Sequence, residues 1–99
     1  MQALVVEFII HPAHPAHVVD FAVAITANAR TSREAEPGRR QFDDCTDPGN
    51  VQRLFLHELC VDEVAVQAHL QSADFLAINA ATAHWVAGKT VWRCIRQAP

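Results

Sequence analysis

The sequence predicts an α+β domain: an antiparallel sheet with helices on one face, in the order β-α-β-β-α-β. Three observations predict it. Val, Ile, Leu and Phe concentrate in short runs at residues 3–11, 53–60 and 90–96. Two stretches between those runs repeat their apolar residues at helical spacing instead. Pro-Gly and Asp-Pro-Gly-Asn signals punctuate the chain where turns are needed.

The first run, Ala3 to His11, reads as a strand. Leu4, Val6, Phe8 and Ile10 share one face, and Val5 and Ile9 share the other with Glu7. Both faces are largely apolar, as expected of a strand covered on both sides. Pro12 and Pro15 break the pattern. From about Ala16 to Ser32, Val18, Phe21, Ala22, Ile25 and Ala29 then form a helical stripe. Pro37-Gly38 ends that region. Gln41 to Thr46 is a short strand, Asp47 to Asn50 a tight turn, and Arg53 to Cys60 the next strand, so the pair makes a hairpin. Asp62 caps a helix with Ala65, Ala68 and His69 along it. Ser72 caps a second helical stretch to about Ala87, with Phe75, Ile78, Thr82 and Trp85 on one side and Gly88 as its stop. Thr90 to Arg96 closes the chain as a strand. This is the ferredoxin-like pattern. One sheet face is left open, and an identical sheet is its economical partner; two such sheets face to face enclose a dimeric α+β barrel.

Composition sets the class. The 99 residues suit one domain, spanning 1–99. Hydrophobic residues make up 51% and charged residues 19%, more apolar surface than a small domain readily covers alone, so a homodimer is expected. A net charge of −3 with a pI near 6.0 argues against nucleic acid as a partner. Arg30, Arg33, Arg39 and Arg40 are interleaved with Glu34 and Glu36, and read as a solvated mixed-charge turn. The three cysteines, Cys45, Cys60 and Cys94, lack CxxC spacing and are expected to pack as small apolar residues. There is no basic leader before an apolar run and no run of the ~18 apolar residues that spans a bilayer, so the expected location is the cytoplasm.

Four stretches, in order, carry a family resemblance. They are Asn28 to Gly38, a helix end running into an acidic Pro-Gly turn; Gln41-Phe42-Asp43 followed by Asp47-Pro48; Arg53-Leu54-Phe55-Leu56-His57-Glu58 followed by Asp62-Glu63; and Ala68 to Phe75. Together they resemble the antibiotic-biosynthesis-monooxygenase-like family of dimeric α+β barrels. That family includes cofactor-independent quinol and polyketide monooxygenases, an isomerase of a quorum-sensing sugar phosphate and heme-degrading enzymes. The resemblance implies a pocket under the sheet and leaves the reaction open. Asp74 stands where the family commonly has a second histidine, and His57 and Cys60 stand where aromatics often flank the glutamate. Tyrosine is absent, which excludes a tyrosine-dependent proton transfer.

The resemblance points to His69 as the catalytic base, since an imidazole accepts a proton near neutral pH. Asn28 and Glu58 join it as catalytic candidates. Asn28 would hydrogen-bond the substrate or a dioxygen-derived oxygen. Glu58, a carboxylate in an apolar strand, either orients the substrate and accepts a proton beside His69 or pairs with an arginine such as Arg93. Phe42, His57, Phe75 and Trp85, with Trp92, are candidates for the substrate-binding wall. His11, His14 and His17 have HxxHxxH spacing, but Pro12 and Pro15 interrupt it, so no metal site is expected. The first expectation is a monooxygenase without cofactor, using dioxygen on a small aromatic, quinol-type or polyketide-like substrate. A proton-transfer isomerase and a non-catalytic ligand-binding module are the alternatives.

Overall fold

The computed structural model describes residues 1–11 and 15–97. The elements are β1 (Gln2–Ile10), α1 (Pro15–Ala35), β2 (Arg39–Asp47), β3 (Asn50–Cys60), α2 (Glu63–Leu70), α3 (Ala73–Thr82), a short 3₁₀ turn (Ala83–Trp85) and β4 (Val86–Ile95). The four strands form one antiparallel sheet in the order β2-β3-β1-β4. This is the α+β, ferredoxin-like arrangement that the sequence implies.

β1 is central, and its alternation is literal: Leu4, Val6, Phe8 and Ile10 are buried, while the residues between them are half-buried. The buried set faces α1, whose stripe of Phe21, Ile25 and Ala29 joins it in the main core with Phe42, Leu54 and Leu56. The Phe8 and Phe21 rings meet edge-on, 4.9 Å between centroids. A smaller cluster of Leu4, Cys60 and Val66 closes the other end of the sheet.

Both predicted caps are in place. The Asp62 carboxylate accepts from the Ala65 N–H at 2.9 Å, and the Ser72 hydroxyl accepts from the Phe75 N–H at 3.2 Å. Ser72 therefore breaks the second helical region where expected, and the break turns α3 relative to α2. Two glycines matter in different ways. At Gly38 a Cβ would lie 2.3 Å from the Ala65 Cβ, so only glycine lets the turn after α1 pass under α2. Gly88 does not stop a helix. It lies inside β4, paired with Ile9, because the helical region ends earlier, at the 3₁₀ turn, and strand pairing to β1 begins at Val86.

α2 carries Ala65, Ala68 and His69 as the sequence implies, and it buries Val66 and His69. Two further expectations are corrected. Cys45 and Cys94 are exposed rather than packed; Cys60 alone is buried. On the side of the sheet away from the helices, Trp92 remains 46% exposed, with Val5, Ile9 and Phe55 half-buried nearby. No helix among the described residues is long and apolar enough to cross a membrane.

Candidate active site

Residues directly opposite on antiparallel strands point to the same sheet face. One row on the helix-covered face therefore reads Phe42, Glu58, Leu4 and Arg93 across β2, β3, β1 and β4. A second reads Leu56, Val6 and Val91, and a third Leu54, Phe8 and Lys89. Above these rows sit Asn28 and Ser32 of α1, His69 of α2 and Phe75 and Ile78 of α3. Between the two layers is a cavity of about 160 Å³, with Phe42, Leu56, Phe75 and Ile78 among its apolar walls and Asn28, Glu58 and His69 among its polar ones.

The polar end is a network. The Arg39 guanidinium donates to Glu58 Oε1 at 2.9 Å and lies 3.6 Å from Glu36 Oε1, with its own side chain 1% exposed. Glu36 in turn faces His69, whose Nδ1 lies 3.0 Å from each carboxylate oxygen; Ser32 Oγ is 3.1 Å from the same nitrogen. A carboxylate at Nδ1 keeps the proton there when the ring is neutral, so the lone pair is left on Nε2. Nε2 has no hydrogen-bond partner among the described residues, and it is not sealed off. The one enclosed side-chain nitrogen or oxygen among them without a partner is Arg39 Nε. His69 is 4% exposed overall and lines the cavity, so its free nitrogen opens onto it; the Phe42 and Phe75 rings flank the imidazole, 5.6 Å and 5.1 Å between centroids. The second Glu58 oxygen is open by the same reasoning.

Burial pushes the Glu58 carboxyl up from its ordinary pKa, and the Arg39 charge is the chief influence holding it down. Burial likewise pushes the Cys60 thiol up, which leaves it a packed, unreactive neighbour. Asn28 lines the cavity with its amide nitrogen donating to Asp74 at 2.6 Å. Asp74 therefore supports Asn28, and the partner of His69 is Glu36.

Five of the eight residues singled out in the sequence thus meet at the cavity: Asn28, Phe42, Glu58, His69 and Phe75. Three do not. His57 neighbours Glu58 in sequence and so points to the opposite sheet face, where it is exposed and lies 3.2 Å from the Gln41 amide nitrogen. Trp85 sits in the 3₁₀ turn beyond α3 and stacks on His17, 5.1 Å between centroids, away from the cavity. Trp92 is also on the open face. The arginine that Glu58 meets is Arg39 on the adjacent strand. Arg93 is one strand too far, separated by Leu4, and pairs with Glu63. Within the HxxHxxH run, His14 lies outside the described residues; no metal-binding cluster occurs among the described ones.

Arg39 and Glu36 were read in the sequence as parts of a solvated mixed-charge turn, which the burial of Arg39 corrects, and Ser32 was given no site role. Ser32 had a legible signal, lying one helical turn beyond Asn28 on the buried stripe. Arg39 had none, because its neighbours Arg40 and Glu34 are indeed exposed.

Residues 1–81 match the antibiotic biosynthesis monooxygenase family. The chain belongs to that family. Solved structures agree on the fold. A Nitrosomonas europaea protein classed with the antibiotic biosynthesis monooxygenases superposes with a TM-score of 0.90 at 21% identity, over 99% of this chain and 100% of that one. A Bacteroides thetaiotaomicron protein of the same class gives 0.89 at 16% identity, over 99% and 90%. A Mycobacterium tuberculosis protein gives 0.86 at 19% identity, over 99% and 96%. No curated protein matches the chain at a significant level. In this member of the family a glutamate holds the histidine from behind, and an apolar cavity lies in front of it.

Proposed function

We propose that this member of the antibiotic biosynthesis monooxygenase family is a cofactor-independent monooxygenase of small phenols or quinols, with His69 as general base. The observation that carries the reading is the arrangement at His69: Nδ1 anchored on Glu36, Nε2 free and facing the cavity. Such a base removes the hydroxyl proton of a bound phenol. The resulting anion is electron-rich enough to reduce dioxygen itself. One oxygen atom then bonds to a ring C–H carbon ortho or para to the hydroxyl and becomes the second carbonyl. The other leaves as water, taking the proton from that carbon and the proton held on His69. The ring gives up two electrons beyond those of the new bond and becomes a quinone. Glu58 and Asn28 stand where they orient the hydroxyl and the oxygen being added.

Cavity size favours the smaller substrates. A cavity of about 150 Å³ accommodates benzene, so this one, about 160 Å³, suits one or two rings rather than a tetracyclic polyketide. The open sheet face carrying Trp92 and Phe55 is assigned to a second copy, which makes the working unit a homodimer, placed in the cytoplasm.

Oxygen uptake tests the reading. With a naphthol as substrate, the protein free of added flavin, heme or metal is expected to consume one dioxygen per quinone formed. Proton exchange on the substrate without oxygen uptake would move the assignment to a proton-transfer enzyme. Neither activity, with tight binding retained, would leave a ligand-binding module.

A further inference from the structure

The cavity has a second polar pole at its mouth. Lys89 stands on β4 opposite Phe8, on the helix-covered face, and lines the cavity. Its ammonium lies 5.4 Å from the Phe8 ring centroid and 5.9 Å from that of Phe75. The Phe75 ring is also 5.1 Å from the His69 ring, so a single phenyl group neighbours both the base and the cation. Two other cations line the cavity, and both are already neutralised: Arg39 by Glu58 and Glu36, Arg93 by Glu63. Lys89 has no carboxylate within ion-pair distance among the described residues.

We propose that Lys89 is a specificity-determining residue that recognises an anionic group on the substrate, and that the substrate class is an aromatic hydroxy acid. Its phenolic hydroxyl would face His69, and its carboxylate, at the far end of one or two fused rings, would face Lys89. The inference rests on the proposed function only in taking this cavity as the substrate site. The rings of Phe8 and Phe75 hold the ammonium at the mouth by their quadrupoles. An ammonium is strongly hydrated, and its water comes from the open side. A neutral ligand that filled the cavity to its mouth would strip that water and give nothing back. A carboxylate there replaces the water with a charge-assisted hydrogen bond. The pole is a single ammonium with no guanidinium free beside it, so it matches a monoanion better than a phosphate dianion. The chain as a whole carries −3, so attraction of an anion has to be local.

Binding by titration calorimetry at low salt tests this, using 6-hydroxy-2-naphthoate and, as its uncharged counterpart, 2-naphthol. The wild type is expected to bind the acid about three- to tenfold more tightly than the naphthol, the range of one partly exposed charge pair. Lys89→Met is expected to bring the two to parity, through loss of the acid's charge partner and removal of the ammonium's desolvation penalty on the naphthol. Lys89→Arg is expected to keep most of the preference. Equal or tighter binding of naphthol by the wild type would overturn the proposal, as would an acid preference that survives in Lys89→Met. Loss of oxygen uptake with the binding preference intact would count against the monooxygenase reading and leave Lys89's role standing. Oxygen uptake on naphthol with no preference for the acid would do the reverse.

Discussion

Replacing Arg39 with methionine removes the cation that two carboxylates share. The methionine keeps much of the stem, so the chief loss is charge. The Arg39 and Glu58 side chains are 1% and 5% exposed, with 2.9 Å between Nη1 and Oε1. Deleting one partner of such a buried pair costs about 3–5 kcal/mol, because the other charge is left without compensation. That is a large part of the stability of a domain this size. The cost depends on pH, with a definite sign. Glu58 already titrates above its ordinary value of 4.5, and removing Arg39 takes away the main influence opposing that rise. A carboxyl with a raised folded pKa binds more protons folded than unfolded. Its contribution is fully present below the unfolded value and is lost as pH rises through the folded one. Urea unfolding followed by circular dichroism should therefore show the variant losing about 3–5 kcal/mol at pH 8 and much less near pH 5. Adding Glu58→Gln should recover most of the loss at pH 8, since the deeply buried charge is then gone and Glu36, 18% exposed, keeps its access to water. An equal deficit at both pH values, or no recovery in the double variant, would refute the role given to this pair.

Three other outcomes follow from particular contacts. Gly38→Ala places a methyl 2.3 Å from the Ala65 Cβ and should destabilise by about 1–3 kcal/mol, with Ala65→Gly restoring the melting temperature. Glu36→Gln keeps the shape behind His69 but not the charge; turnover should fall about 10- to 100-fold with KM little changed, read by steady-state kinetics. Trp92→Glu puts a charge on the open sheet face, and sedimentation velocity at micromolar concentration should show a dimer for the wild type and a monomer for the variant.

How much of this was legible in the sequence varies with the kind of signal. The caps at Asp62 and Ser72 are local, because the side chain that ends one segment bonds a backbone N–H three residues on, and both were readable. The faces of β1 and α1 were readable from periodicity. The end of α3 was not, since Gly88 serves a helix stop and a strand equally well in isolation, and pairing with Ile9 decides between them. The site divides the same way. The alternation that puts Glu58 on the inner face puts His57 on the outer one, a distinction available from the strand alone. The Arg39–Glu58 pair was out of reach. It depends on the register of β2 against β3, including the shift between Arg39 and Gln41, which carries one arginine of an exposed-looking turn beneath the helices. Glu36 follows from the same turn, whose approach to α2 is set by Gly38.

The central claim is that His69 Nε2 is the base that opens onto the cavity, and one substitution isolates it. In His69→Asn the asparagine amide can reproduce the Nδ1 contact to Glu36 and Ser32 while nothing replaces Nε2. Turnover on the phenol that supports oxygen uptake, measured beside the melting temperature, is expected to fall by about 10²–10⁴-fold, the usual contribution of a positioned acid–base group, with the fold retained. A variant that melts like the wild type and turns over at the full rate would contradict the account.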